Sequence, residues 1–133
     1  MNAEVIQVVY NRLDRVPEEE VLPSCEKQNL GVLARVPLAS GFLSGKYKPG
    51  AVFGENDVRH NRDKQEQERI LKLVEQIQQE EVPTDVNMAE WALAWCLRHP
   101  AVTSVIPGCK NIEQVESNAR AAELVRDDRP QAE

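Results

Sequence analysis

Apolar residues in this chain arrive in two rhythms. Val5 to Tyr10, VIQVVY, is short and β-branched, with Gln7 alone interrupting it, as expected of a strand buried in a parallel sheet. A second run starts at Val32 and reaches Arg35 or Val36, where Pro37 stops it, and a third spans Val102 to Ile106. The other rhythm is helical. Ile70, Leu73, Val74 and Ile77 recur at i, i+3, i+4 and i+7 inside the polar stretch from Asn61 to Glu80, predicting an amphipathic helix with that stripe inward. Pro83 breaks it. Thr84 or Asp85 can cap a following helix, which puts Met88, Ala89, Ala92, Leu93 and Cys96 on one face and ends at Pro100.

Two further helices complete the pattern. Pro17 can open one, with Glu18 to Glu20 near its positive end and Gly31 closing it. Pro23 predicts a first turn and then a restart or kink. Asn111 caps the last helix, and Gln114, three positions on, makes a variant of the capping box. Pro37 to about His60 is a long loop rich in glycine; connections of this length are uncommon unless functional or mobile. The order is strand, helix, strand, loop, two helices, strand, helix, which implies right-handed parallel crossovers and an α/β protein. Residues 1–125 form this unit, and the charged stretch 126–133 is expected to be a disordered tail.

At 133 residues the chain can bury a core without staples. Cys25, Cys96 and Cys109 are odd in number and widely spaced, suggesting neither a disulfide framework nor a metal cluster. With no secretory leader and no apolar run long enough to span a bilayer, the expected compartment is the cytoplasm and no membrane is expected as a partner. The net charge of −6, with Lys and Arg scattered, argues against a nucleic-acid surface. It leaves room for a single bound nucleotide.

Ligands of parallel α/β folds bind at the carboxyl ends of the strands. That directs attention to Asn11–Leu13, Pro37–Tyr47 and Pro107–Asn111. In the third segment Gly108 lets the backbone come close, the helix start offers free N–H groups and Lys110 adds a positive charge: a phosphate site on physical grounds, although glycine also serves such turns for steric reasons alone. Ala39, Ser40, Gly41, Ser44 and Gly45 keep amides accessible to a diphosphate or simply make a flexible loop. Gln7 is either a ligand-binding amide or a buried one satisfied by neighbouring backbone. Trp91 and Trp95 are read as packing residues, and neither His60 nor His99 has a catalytic partner in the sequence.

Three ordered segments, QVVYNRLDR, PEEEVLPSCEKQNLGVLARVPLASGFLSGKY and MAEWALAWCLRHPAVTSVIPGCKNIEQVESNARAAEL, resemble the C-terminal part of an aldo-keto reductase. The resemblance implies strands six to eight of a (β/α)8 TIM barrel that binds NADP(H) and reduces aldehydes and ketones. By that resemblance Gln7 contacts the nicotinamide carboxamide, and Pro37 to Gly45, notably Leu38, Ser40 and Gly41, wrap the diphosphate. Gly108, Cys109 and Lys110 lie at the adenosine 2′-phosphate, and Gln114 and Asn118 reach the phosphate and the adenine.

Arg35 stands where many members place an aromatic on the nicotinamide, and Ser117 replaces a frequent acidic residue near the adenine. Nothing matches the family's catalytic Asp, Tyr, Lys and His, so no catalytic residue and no metal ligand is expected here. A closed barrel takes about 250 residues, and three strands leave edges and inward faces bare. The expectation is a fragment, a split-gene product, or a chain that pairs with a missing N-terminal half-barrel or a second copy. It would handle a small carbonyl substrate only when completed. The alternative is a non-catalytic nucleotide-binding or regulatory module, as in the potassium-channel β subunits.

Overall fold

The computed structural model describes residues 2–126. Three strands, β1 (Val5–Val9), β2 (Gly31–Arg35) and β3 (Ser104–Ile106), form one parallel sheet in the order β1-β2-β3. Five helices accompany them: α1 (Val21–Lys27), α2 (Lys64–Glu80), α3 (Met88–Leu97), α4 (Ile112–Arg120) and α5 (Glu123–Arg126). Single 3-10 turns lie at Val16–Glu18 and Phe42–Ser44. The α/β class with parallel crossovers expected from the alternation is present. The first residue of the expected tail, Arg126, ends α5, and the rest of that stretch lies outside the described residues.

One face of the sheet is covered and the other is bare. Val32 and Ala34 of β2 are buried among Tyr10, Leu22, Cys25, Cys96, Ala101 and Val102. Residues of opposite parity point the other way: register pairs Gln7 with Leu33 and Leu33 with Ser104, and Val9 with Arg35 and Arg35 with Ile106. On that face Val5, Gln7, Arg35 and Ile106 are exposed. The expectation that β1 is buried on both sides therefore fails, and Gln7 is no buried amide, because helices cover only one side of the sheet.

A second core lies off the sheet, where Phe42, Leu43 and Phe53 of the long loop meet Leu71, Val74 and Ile77 of α2 and Met88, Trp91 and Ala92 of α3. Helix α3 serves both cores, so it is buried around most of its circumference rather than along one face. Its cap is Asn87, whose side chain accepts from the Glu90 amide at 3.1 Å. Thr84 and Asp85 instead belong to the turn closed by Val86 N–H on the Pro83 carbonyl. On α2 the buried face includes Leu71, at 1% exposure, whereas Leu73 is 44% exposed. The predicted stripe was rotated by part of a turn, since 70, 73, 74 and 77 and 67, 71, 74 and 77 satisfy helical spacing equally well. Asp63 caps α2 through the Gln65 amide, which excludes Asn61 to Asp63 from the helix.

The prolines act as expected. Pro17 lies in the 3-10 turn and α1 restarts at Val21, leaving Pro23 in the first turn, where no intrahelical donor is needed. Asn29, at φ 55°, closes the chain end after α1 in place of Gly31, which opens β2; a Cβ there would stand 3.1 Å from the Val5 side chain. β3 is shorter than Val102–Ile106 because Thr103 accepts the Val32 amide through its hydroxyl at 3.0 Å, replacing a ladder bond with a side-chain one.

Candidate functional site: a groove at the carboxyl ends of the strands

Two adjoining cavities open where β2 and β3 end. One, about 380 Å³, is lined by Gln7, Arg35, Pro37, Leu38, Ser40 and Gly108 among others. The other, about 880 Å³, continues past Leu38, Ser40, Gly41 and Gly108 to Cys109, Lys110, Gln114 and Asn118. Leu38, Ser40 and Gly108 line both, so the cavities form one groove of the size ligand sites have. Of the residues singled out from the sequence for the cofactor, those from Gln7 to Asn118 are on its walls except Ala39 and Gly45 of the glycine-bearing loop. Trp91 and Trp95 pack away from it, Trp91 in the second core and Trp95 against Tyr10 at 5.3 Å between ring centroids.

The first wall is the turn after β2. Val36, Ala39 and Ser40 have φ of 53°, 51° and 57°, and Gly41 has 87°. Left-handed backbone is costly for residues with a Cβ, most of all for a β-branched valine, so it persists only where the surroundings over-determine it. They do. Asn11, itself buried, donates its Nδ2 to the Val36 carbonyl at 3.0 Å while its Oδ1 accepts the Leu13 and Asp14 amides. Amides of Ala39, Gly41, Phe42, Leu43 and Ser44 bond within the turn, and those of Leu38 and Ser40 bond to no group among the described residues. Phe42 and Leu43 then plug the second core.

The second wall is the turn after β3. Asn111 Oδ1 accepts the Gln114 amide at 2.8 Å, and Gln114 Oε1 accepts the Lys110 amide at 2.7 Å. This is a reciprocal capping box shifted by one residue, since the return bond goes to the residue before the cap. It leaves the first-turn amides of Ile112 and Glu113 without intrahelical acceptors. The Gln114 carbonyl oxygen is thus spent on the turn, and Ser117 donates to Glu90 at 2.9 Å.

Arg59 and Asp57, absent from the expected set, also line the groove. Arg59 is 8% exposed. Its Nε and Nη2 reach the two Asp57 oxygens at 2.7 and 2.5 Å, its Nη1 donates to the Ser40 carbonyl at 3.1 Å, and Nη2 also donates to Tyr47 Oη at 2.9 Å. This pairing holds the Asp57 carboxyl at a pKa of about 2, well below its ordinary value. Lys46 and Lys110 on the walls form no ion pair among the described residues, while Glu113 adds a carboxylate at the α4 end. With Asp57 neutralised by Arg59, the groove combines unspent amides with lysine cations, a setting for phosphate groups. No periodicity marks Arg59; an aspartate two positions before an arginine inside a glycine-bearing loop was the sole signal available.

The buried titratable groups nearby are structural. Burial pushes the Cys96 thiol up to about 12 and raises the Tyr10 phenol as well. Among the described residues no His, Cys, Asp and Glu cluster could hold a metal, and no helix is long and apolar enough to cross a membrane.

A parallel α/β sheet with a ligand groove at its carboxyl strand ends defines the class. The family follows from comparison: the aldo/keto reductase family model matches residues 1–132, and the chain belongs to that family. It is 30% identical over 126 residues to an NADP(+) aldo-keto reductase of Schizosaccharomyces pombe, covering 90% of this chain and 37% of that one. It is 31% identical over 127 residues to a probable voltage-gated potassium channel subunit beta of Arabidopsis thaliana, covering 91% of this chain and 39% of the relative.

Among solved structures, an aldo-keto reductase of Bacillus halodurans in its holo form superimposes with a TM-score of 0.64 at 35% identity, over 90% of this chain and 36% of that one. A glycerol dehydrogenase of Gluconobacter oxydans, at 23% identity and a TM-score of 0.74, covers 97% of this chain and 44% of that chain and shares the fold. The sheet and its helices thus correspond to part of a TIM barrel, and the chain spans less than half the length of these relatives.

Proposed function

We propose that the groove is the NADP(H) site of an aldo-keto reductase, to which this chain contributes barrel strands six to eight. The observation that supports it most is the alignment along one groove of Gln7, the unspent Leu38 and Ser40 amides, and Lys110 beside the α4 start. When bound, the nicotinamide supplies the hydride that reduces an aldehyde or ketone. This chain's part is to hold the cofactor. Gln7 can donate to and accept from the carboxamide at once. The Leu38 and Ser40 amides face the diphosphate, Lys110 and the first-turn amides of α4 take the 2′-phosphate, and Asn118 meets the adenine. Arg35 beside the nicotinamide favours the neutral reduced ring over the cationic oxidised one.

Neither tyrosine of the chain is placed to give the reduced carbonyl its proton. Tyr10 is buried in the core and Tyr47 is engaged by Arg59, so neither serves the Gln7–Arg35 cavity. In this reading the acid and the substrate pocket come from a completing half-barrel or a second copy. The bare face of the sheet and its two edge strands, β1 and β3, are where such a partner would close the barrel.

Titration of the purified chain with NADPH, followed by cofactor fluorescence or calorimetry, tests the proposal. Saturable binding is expected, weakened roughly tenfold by Lys110→Ala and with less effect on NADH, which lacks the 2′-phosphate. No binding at millimolar NADPH removes the cofactor reading for this chain. A second reading, a non-catalytic nucleotide-responsive module, draws on the engagement of both tyrosines. Carbonyl-dependent NADPH oxidation by the chain alone would exclude it.

A further inference from the structure

We infer that Arg59 is a positioning residue for the diphosphate: it sets the Leu38 and Ser40 amides and does not itself bind the ligand. The inference rests on the dinucleotide reading of the groove. A guanidinium carries five donors in a fixed plane, and here four of them are engaged. Its edges meet both Asp57 oxygens, the Ser40 carbonyl and the Tyr47 hydroxyl. Tyr47 and Phe53, whose ring centroids lie 4.2 and 4.4 Å from Cζ and 5.1 Å from each other, pack together on one side of it. The Arg59 carbonyl accepts from Gln67 Nε2, a buried side chain of α2. Arg59 is therefore anchored to a helix on one side and to the strained turn on the other.

The grip on the turn is specific. Arg59 holds the oxygen of the Ser40–Gly41 peptide, and the Leu38 carbonyl takes the N–H of that same peptide at 3.0 Å. A peptide held at both ends has no freedom to flip, so ψ of Ser40 and the left-handed φ of Gly41 are fixed, and the turn that leaves the Leu38 and Ser40 amides unspent keeps its shape. Gly41 makes the approach possible, since a Cβ there would lie 2.9 Å from Arg59 Nη1. Lysine at 59 would keep the charge, but its point-like ammonium cannot span Asp57, Ser40 and Tyr47 together.

The test compares Arg59→Lys and Asp57→Asn with the unaltered chain against two probes, NADPH and adenosine 2′-monophosphate, with melting temperatures recorded alongside. The second probe carries the 2′-phosphate but no diphosphate. Positioning predicts that Arg59→Lys raises the NADPH Kd by about tenfold or more, the scale of one lost charged-group hydrogen bond, while adenosine 2′-monophosphate changes by less than about twofold. Asp57→Asn should move the same way by a smaller factor. Equal weakening of both probes would mean that Arg59 acts through general folding or contacts the 2′-phosphate directly, and unchanged NADPH binding would mean that the turn keeps itself; either overturns the inference. If the unaltered chain does not bind NADPH, the dinucleotide reading fails and carries this inference with it; if it binds NADPH and Arg59→Lys leaves that binding unchanged, positioning fails alone.

Discussion

The two walls of the groove are built on opposite economies of structure. The turn after β3 is self-contained: Asn111 and Gln114 satisfy each other's neighbourhood within five residues, and α4 has no buried residue. The turn after β2 depends on distant help. Its left-handed residues are held by Asn11 from the first strand's exit and by Arg59 from a loop nineteen positions beyond Ser40, and its apex is driven into a core shared with α2 and α3. Local hydrogen bonding makes a wall that is cheap and exposed. Long-range buttressing permits a conformation the chain would otherwise avoid, and that conformation leaves the Leu38 and Ser40 amides without an acceptor on the groove wall.

If this contrast is right, damage to the first wall should be global and damage to the second local. Leu43→Ala removes a fully buried side chain beneath the first wall and should cost about 2–5 kcal/mol, seen as a lower urea midpoint with unfolding still cooperative. Gly41→Ala adds a Cβ at φ 87° against Arg59 and should cost about 1–3 kcal/mol, with loss of NADPH binding out of proportion to the loss of stability. Asn111→Ala strips the α4 cap and should cost about 1 kcal/mol. Hydrogen exchange should place that loss in the first turn of α4, leaving the second core protected; if instead the core amides exchange faster, the second wall is not self-contained.

The smallest expected effect is one of pH. The Asp57 carboxyl is held near pKa 2 by Arg59, below the ordinary 3.8, and Glu18 and Glu81 are lowered by their pairings with Arg15 and Arg12. A carboxyl more acidic in the folded chain than in the unfolded one contributes stability that is complete above the unfolded value. That contribution disappears as pH falls from about 4 toward 2. Melting temperature should therefore decline over that window at low salt, and Asp57→Asn should flatten part of the decline; an unchanged slope in the variant would show that the Arg59 pair does not hold the first wall in solution. Since these pairs are partly exposed, added salt should shrink the effect.

Local chemistry was legible wherever one residue type has one physical use. The β-branched runs, the prolines at Pro17 and Pro23 and the Asn111 cap each follow from backbone geometry that neighbours in sequence settle among themselves. The resemblance carried by three motifs then pointed to residues that the structure gathers along one groove. What the sequence could not decide was which side each element turns to its neighbours. Leu71 rather than Leu73 is inward on α2, and α3 is buried nearly all round, because those choices depend on what packs opposite.

The same reason hid Arg59. Its partners Ser40, Tyr47, Phe53 and Gln67 are separated from it by between six and nineteen positions with no shared period, so no window of sequence displays them together. The chain alone determined a parallel α/β framework and the residue types of the turns at its strand ends, since propensity, capping and alternation act over a few residues. Only the tertiary structure determined that one sheet face is bare and that a buried guanidinium braces a strained turn, because burial and long-range hydrogen bonds exist only once distant segments meet.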